Sequence, residues 1–68
     1  MRTKYLSALG GRVRIRRERL SFSQTTLARK AGVHPNVVGR LERGICNPTV
    51  LTLLAIAGAL RVPLHELV

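Results

Sequence analysis

The chain has 68 residues, which is enough for one small domain, and its 12 basic residues against 3 acidic ones give a formal net charge of +9. The chain has one tyrosine and one phenylalanine, too few for an aromatic core, and its single cysteine excludes an internal disulfide. No apolar run is long enough to cross a bilayer, so we expect no membrane partner. Such a basic balance indicates a polyanionic partner, and nucleic acid is the leading candidate.

The first predicted element is a helix over about residues 6–19. Apolar residues at helical spacing mark its buried side: Leu6, Leu9, Val13 and Leu20. Residues 1–5 precede it and are expected to be frayed. Gly10 and Gly11 weaken the first turns, because each glycine costs about 1 kcal/mol relative to alanine in a helix interior. The ordered helix is therefore expected to begin late.

Residues 24–44 predict two short helices joined by a tight turn. Ser23 is a good N-cap for the first of them, and Gly32 supplies the left-handed backbone that ends it. Pro35 suits the first position of the second helix, which runs to about Arg43. The apolar residues of this stretch that are expected to face inward are Leu27, Ala28, Ala31, Val33, Val38 and Leu41. The opposite face of the second helix carries an amide and guanidinium groups, which the major groove of B-DNA can receive.

A fourth helix is predicted over residues 50–60, capped by Thr49 or Asn47, and a last turn over residues 64–67 follows Pro63. The expected core face of the fourth helix consists of Val50, Leu53, Leu54, Ala57 and Leu60. These elements predict an all-α fold, a compact bundle of about five short helices in a single domain that spans residues 1–68.

The chain resembles the lambda-repressor/Cro-type helix-turn-helix family, also called the xenobiotic-response-element-like family, from about residue 9 to residue 67. The residues that carry the resemblance are Arg17, Ser23, Gln24, Leu27, Ala28, Ala31, Gly32, Val33, Pro35, Val38, the run Leu41 to Gly44, Pro48, Leu53, Ala57, Leu60 and Leu67. The resemblance implies a lambda-repressor-like fold with the helix-turn-helix at helices 2 and 3. It also implies that helix 3 enters the major groove of double-stranded DNA.

The residues expected to read bases lie at the start and on the outer face of helix 3. Asn36 can pair with adenine and Arg40 with guanine, and Pro35 or Val37 can touch a thymine methyl group. Arg40 could instead contact only a phosphate. His34 stands where the family usually has a serine or threonine N-cap, and it is either a DNA contact or a surface bystander.

The residues expected to hold the DNA backbone follow from the resemblance. In the family, the glutamine that corresponds to Gln24 lies where helix 2 meets a phosphate of the DNA backbone. Ser23, at the N-terminus of the same helix, is expected to lie at this phosphate site, or only to cap the helix, and the two roles can coexist. Arg43 and Asn47 flank the loop after helix 3, where family members grip the backbone.

The arginine at position 17 commonly pairs in the family with the glutamate at position 42. A bidentate Arg17–Glu42 pair would tie helix 1 to helix 3 and could leave one guanidinium edge for a phosphate. The alternative is that Arg17 belongs to a solvated basic face.

A second surface is predicted on helix 4. Leu51, Ala55 and Gly58 occupy positions where the family usually has charged or polar residues, and their spacing places them on one stripe. Leu64 and Leu67 would cover either the core or a second subunit, and we assign them, with the stripe, to the predicted dimer interface. A symmetric homodimer is the leading hypothesis, and the alternative is a merely hydrophobic small protein.

The resulting functional hypothesis is a dimeric, sequence-specific transcriptional regulator of the cytoplasm, bacterial or phage-type and associated with the nucleoid. RNA polymerase is a further candidate partner, through arginine-rich surfaces or an exposed acid such as Glu66. The competing hypothesis is an antitoxin or adaptor that binds a protein and has secondary DNA affinity. We expect no enzyme activity, cofactor, metal or small-molecule ligand, because the acidic, histidine and cysteine residues form no recognisable catalytic or metal spacing.

Overall fold

The computed structural model describes residues 2–68, with side chains from residue 4 onward. This part of the chain forms four α-helices and a turn of 3-10 helix. In chain order they are α1 (Arg2–Arg19), α2 (Gln24–Ala31), α3 (Pro35–Glu42), α4 (Val50–Leu60) and the 3-10 turn Leu64–Glu66. The predicted all-α bundle is confirmed, although the fifth helix is only a single 3-10 turn.

Helix α1 begins at Arg2, earlier than the predicted start at residue 6, and it includes residues 2–5 that we expected to be frayed. Met1 lies outside the described residues. The two central glycines do not delay the helix. A Cβ on Gly10 would overlap the backbone carbonyl oxygen of Leu41. Glycine at this position therefore lets α1 pack directly on the end of α3.

The core is made of aliphatic side chains from all four helices and the C-terminal turn. Its buried members are Leu9, Val13, Leu27, Ala28, Val38, Leu41, Ile56, Ala57, Leu60 and Leu67. Helix α2 packs against both α3 and α4, and α1 packs chiefly against α3. This arrangement leaves the outer face of α3 and the start of α2 on the same side of the molecule.

The buried side of α1 differs from the prediction at its C-terminal end. Leu20 is 38% exposed, because α1 ends at Arg19 and the chain turns away through Ser21, which has a φ of 58°. Arg16 follows Val13 on the same face of the helix and is half-buried. The charged end of Arg16 is tolerated on this partly buried face because its guanidinium pairs with Glu66 of the 3-10 turn.

Helix α4 buries only part of the predicted face: Ala57 and Leu60 are buried and Leu53 packs against the core, as predicted. Val50 and Leu54 are 64% and 49% exposed, whereas Ile56 is fully buried. Almost every residue of α4 is apolar, so its periodicity could not indicate which side faces the core. Leu67 is also fully buried in the core of its own chain. Its side chain is therefore not available to a second subunit, contrary to the predicted interface.

Candidate nucleic-acid interface

Local hydrogen bonds fix the start of α2 and the turn between α2 and α3. The N–H of Thr26 donates to Ser23 Oγ at 2.9 Å, so Ser23 is the N-cap of α2. Gly32 ends the helix in the left-handed conformation with a φ of 72°. The N–H of Val33 then donates to the carbonyl of Ala28 at 3.0 Å. Because Val33 also packs against the core, the turn holds α3 in a defined direction relative to α2.

His34 is the N-cap of α3. The backbone N–H of Asn36 donates to His34 Nδ1 at 3.0 Å. A nitrogen that accepts a hydrogen bond carries no proton, so the hydrogen bond assigns the proton of the neutral ring to Nε2. The histidine thus caps the helix and still has one N–H donor for an external acceptor.

The residues predicted to read bases share the outer side of α3. Val37 is half-buried, and the four exposed members are His34, Pro35, Asn36 and Arg40. Val38 and Leu41 point into the core, which turns this face outward. Asn36 and Arg40 are one helical turn apart, so the amide and the guanidinium are neighbours on the surface.

A groove of about 410 Å³ separates the start of α2 from α3. Its lining residues are Gln24, Thr25, Pro35, Asn36, Gly39 and Arg43. The groove therefore combines two predicted phosphate residues with two predicted base-reading residues. Thr25 and Gly39 were not predicted as site residues. Asn47 is exposed in the α3–α4 loop and is not among the lining residues.

The start of α2 is held to α1 and α3 by a network centred on Glu42. Arg17 Nε donates to Glu42 Oε2 at 2.6 Å, and Arg17 Nη2 donates to Glu42 Oε1 at 3.0 Å. Gln24 Nε2 also donates to Glu42 Oε1, at 3.0 Å. The hydrogen bond to Glu42 raises the pKa of Arg17 above its ordinary value. The network fixes the side chain of Gln24 at the mouth of the groove.

The guanidinium of Arg17 forms its hydrogen bonds within the protein and has little capacity left for a phosphate. Its third hydrogen bond runs from Nη1 to the carbonyl of Phe22 at 2.8 Å, and its side chain is only 12% exposed. Since three of the five guanidinium N–H groups are engaged, the predicted phosphate edge is largely turned inward. We therefore assign Arg17 a positioning role.

Comparison with known proteins identifies the family. Residues 13–67 match the family model described as Helix-turn-helix, HTH_3. The chain belongs to the HTH_3 family, which comprises DNA-binding transcriptional regulators. Among curated proteins, none matches the chain in sequence.

Solved structures of HTH_3 proteins and other regulators share the fold. The restriction-modification controller protein C.AhdI from Aeromonas hydrophila is 36% identical, with a TM-score of 0.90 over 93% of this chain and 96% of that one. An HTH_3 family transcriptional regulator from Vibrio cholerae is 25% identical, with a TM-score of 0.92 over 98% of this chain and 38% of that one. A hypothetical transcription factor, NHTF from Neisseria, is 27% identical, with a TM-score of 0.90 over 98% of this chain and 75% of that one. These neighbours are described as regulators, not as enzymes.

In this HTH_3 domain, all three acidic side chains pair with arginines of α1. The pairs are Arg14–Glu18, Arg16–Glu66 and Arg17–Glu42. Glu66 is therefore not the free acid that we expected to be available to RNA polymerase. Within the described residues neither Arg40 nor Arg43 pairs with an acid, and Arg43 Nε donates to the carbonyl of Gly39 at 3.2 Å. The outer face of α3 thus keeps its positive charge.

Two other features of the HTH_3 domain bear on its chemistry. Within the described residues, no group of three or more histidine, cysteine or acidic side chains could hold a metal ion, and no helix is both long and apolar enough to cross a membrane. Cys46 is a free thiol in the α3–α4 loop, half-buried against the core.

Proposed function

We propose that the protein is a dimeric, sequence-specific regulator that inserts α3 into the major groove of a pseudopalindromic operator. The observation that supports this proposal is the outer face of α3, where an exposed amide and an exposed guanidinium lie beside a groove that ends at the start of α2. The similarity between this chain and the controller protein C.AhdI extends over nearly the whole of both chains. We therefore propose a controller-type regulator that acts on double-stranded DNA in the cytoplasm.

The proposed base-reading residues are those on the exposed side of α3. The carboxamide of Asn36 matches N7 and N6 of adenine, and the guanidinium of Arg40 matches O6 and N7 of guanine. Pro35 and Val37 present apolar surface to a thymine methyl group. His34 adds one N–H donor, from Nε2, at the start of the helix.

The proposed backbone contacts surround that face. The first N–H groups of a helix have no partner within the helix, and here they belong to Gln24 and Thr25 at the edge of the groove. Arg43 adds a guanidinium on the other wall. Asn47 lies further along in the exposed loop, and we assign it a contact with an adjacent phosphate. Ser23 contributes indirectly, because its hydroxyl is occupied by the cap of α2.

The proposed dimer interface is the apolar stripe on α4. Leu51 is 79% exposed, and Val50 and Leu54 beside it extend the exposed apolar surface beyond the predicted residues. Gly58 is exposed and Ala55 half-buried, so a second helix could approach closely along their side. Leu64, the remaining predicted interface residue, is half-buried at the start of the 3-10 turn. Two copies joined here would place two α3 helices on one operator, as a two-fold dimer requires.

The test is a selection of random duplex DNA by the purified protein, followed by titration of the selected duplex at several salt concentrations. We expect a palindromic sequence whose affinity falls steeply with salt, because phosphate contacts release counterions. Arg40→Ala should relax the preference at one base position by about 1–3 kcal/mol. Arg61→Ala removes the same charge at the end of α4 and should leave that preference unchanged.

Failure of the selection has a clear meaning. If no sequence is enriched and only uniform salt-dependent binding remains, the net charge of +9 explains the DNA affinity and the proposed function is wrong. A stoichiometric protein partner recovered by pull-down would then favour the antitoxin or adaptor hypothesis.

A further inference from the structure

Glycine inside a helix destabilises it relative to alanine, so a helical glycine on a proposed DNA-binding face calls for a physical explanation. Gly11 and Gly58 lie in α1 and α4, where an added Cβ would meet no atom within 4 Å. Gly10 has a structural reason, because a Cβ there would overlap the backbone of α3. Gly32 and Gly44 have another, since both have positive φ angles. Gly39 stands in the middle of α3, which has only eight residues.

Among the residues that the structure describes, no contact requires glycine at position 39. Its φ is not positive, and within that part of the chain an added Cβ would meet only Gln24 Oε1, at 3.4 Å, the short limit of ordinary van der Waals contact. That oxygen is the end of a flexible side chain. Alanine would therefore fit, and α3 would be more stable with it.

Gly39 lines the groove between α2 and α3. Arg43 on one wall and the first N–H groups of α2 on the other give the groove positive charge and hydrogen-bond donors. The nearest acid in the network, Glu42, already accepts hydrogen bonds from Arg17 and Gln24. The groove thus suits a narrow, negatively charged occupant that approaches the backbone of α3.

We propose that Gly39 admits the sugar–phosphate backbone of DNA directly against α3. A deoxyribose packs on the Gly39 Cα and the Pro35 ring, and its phosphate faces Arg43. This inference rests on the proposed function and divides the outer side of α3 into two parts. Asn36 and Arg40 read bases, whereas the groove at Gly39 holds the backbone and sets how deeply α3 enters the DNA.

The test compares Gly39→Ala with Gly11→Ala, a substitution on α1 where an added Cβ meets no atom within 4 Å. Both variants should melt a few degrees higher than the wild type, because alanine favours helix. Gly39→Ala should bind the selected operator and a randomised duplex about tenfold more weakly, by the same factor for both, since backbone contacts carry no sequence information. Gly11→Ala should bind both duplexes like the wild type.

Neutral methylphosphonate linkages, placed one at a time along the operator, locate the contact. We expect one linkage in each half-site to weaken the wild type and to weaken Gly39→Ala much less. Gly39→Ser repeats the comparison with a second small side chain and should show the same uniform loss.

Two outcomes would overturn the inference. One is a Gly39→Ala variant that melts higher and binds both duplexes like the wild type. The other is a changed base preference with unaltered binding to the randomised duplex, which would place a base edge in the groove. Failure of the proposed function is separate, because it appears as a wild-type selection without an enriched sequence, and the randomised duplex still tests Gly39.

Discussion

Arg17 and Glu42 join the last turns of α1 to the last residue of α3 through two hydrogen bonds, of 2.6 and 3.0 Å. The side chain of Glu42 is only 4% exposed. A carboxylate with so little access to water is stabilised by the groups that donate hydrogen bonds to it. The same oxygen that accepts from Arg17 Nη2 also accepts from Gln24, so this pair supports the DNA-facing end of α2 as well as the core.

Arg17→Ala is expected to lower the free energy of unfolding by about 3 kcal/mol, because Glu42 would remain buried with Gln24 as its main donor. Urea denaturation followed by circular dichroism measures the change. Arg14→Ala is the control, since the side chains of its pair with Glu18 are 63% and 54% exposed, and it should lower the free energy by no more than about 0.5 kcal/mol. Equal midpoints for the two variants would contradict the role given to the Arg17–Glu42 pair.

Gly10 and Gly11 are adjacent in α1, yet alanine should have opposite effects at the two positions. At Gly10 the new Cβ would overlap backbone atoms of Leu41 and Glu42, and separating α1 from α3 should destabilise the fold by about 1–3 kcal/mol. At Gly11 the Cβ enters open space, so alanine should stabilise the helix by about 0.5–1 kcal/mol. Thermal denaturation of both variants gives the two signs. Two variants of equal stability would show that the close packing at Gly10 is not maintained in solution.

The elements that the sequence predicted best are those with local start and stop signals. Ser23, Gly32, Pro35 and Thr49 each fix one end of a helix through their own hydrogen bonds or backbone preferences. Such signals depend on a few neighbouring residues, which is why the bounds of α2, α3 and α4 could be derived from the sequence.

The features that the sequence did not predict depend on residues far apart in the chain. Gly10 faces the end of α3, and Arg16 reaches Glu66. On α4 an almost continuous apolar run conceals its buried side, so Ile56 rather than Leu54 fills the core. The groove at Gly39 likewise forms only when α2 and α3 are packed together. Spacing along one helix carries no information about these contacts.

Arg61 ends α4 in the left-handed conformation with a φ of 61°. A residue with a Cβ is strained there, whereas glycine adopts this conformation readily. Arg61→Gly should therefore raise the free energy of unfolding by about 0.5–1 kcal/mol. Arg61→Ala is the control, because it removes the guanidinium and keeps the Cβ, and it should not stabilise the protein. A gain in both variants would attribute the effect to charge instead of backbone strain.

His34 combines two roles that mutation can separate. His34→Ala removes the N-cap of α3 and should destabilise the protein by about 1 kcal/mol. His34→Ser restores a capping oxygen and should regain that stability, but it lacks the Nε2 donor. Thermal denaturation and DNA titration of both variants distinguish the alternatives. Weaker operator binding by the fully stable serine variant would make His34 a DNA contact, and wild-type binding would make it a cap only.

Leu51 provides the test of the proposed dimer. Its side chain is 79% exposed, so Leu51→Lys should leave the fold and its melting temperature nearly unchanged. If two copies meet along α4, a lysine at this position buries a charge against an apolar surface and should dissociate the dimer. Sedimentation equilibrium over a range of concentrations measures this, and operator affinity should fall in parallel because each monomer reads only one half-site.

Ile15→Lys is the matched control for Leu51→Lys. Ile15 is 52% exposed and lies on a different helix, α1, two residues after the buried Val13. Its replacement adds the same charge to the protein. We expect this variant to remain a dimer and to keep its operator affinity. A wild-type protein that stays monomeric at high concentration in solution scattering would remove the dimer, and the exposed leucines of α4 would then be only the apolar surface of a small domain.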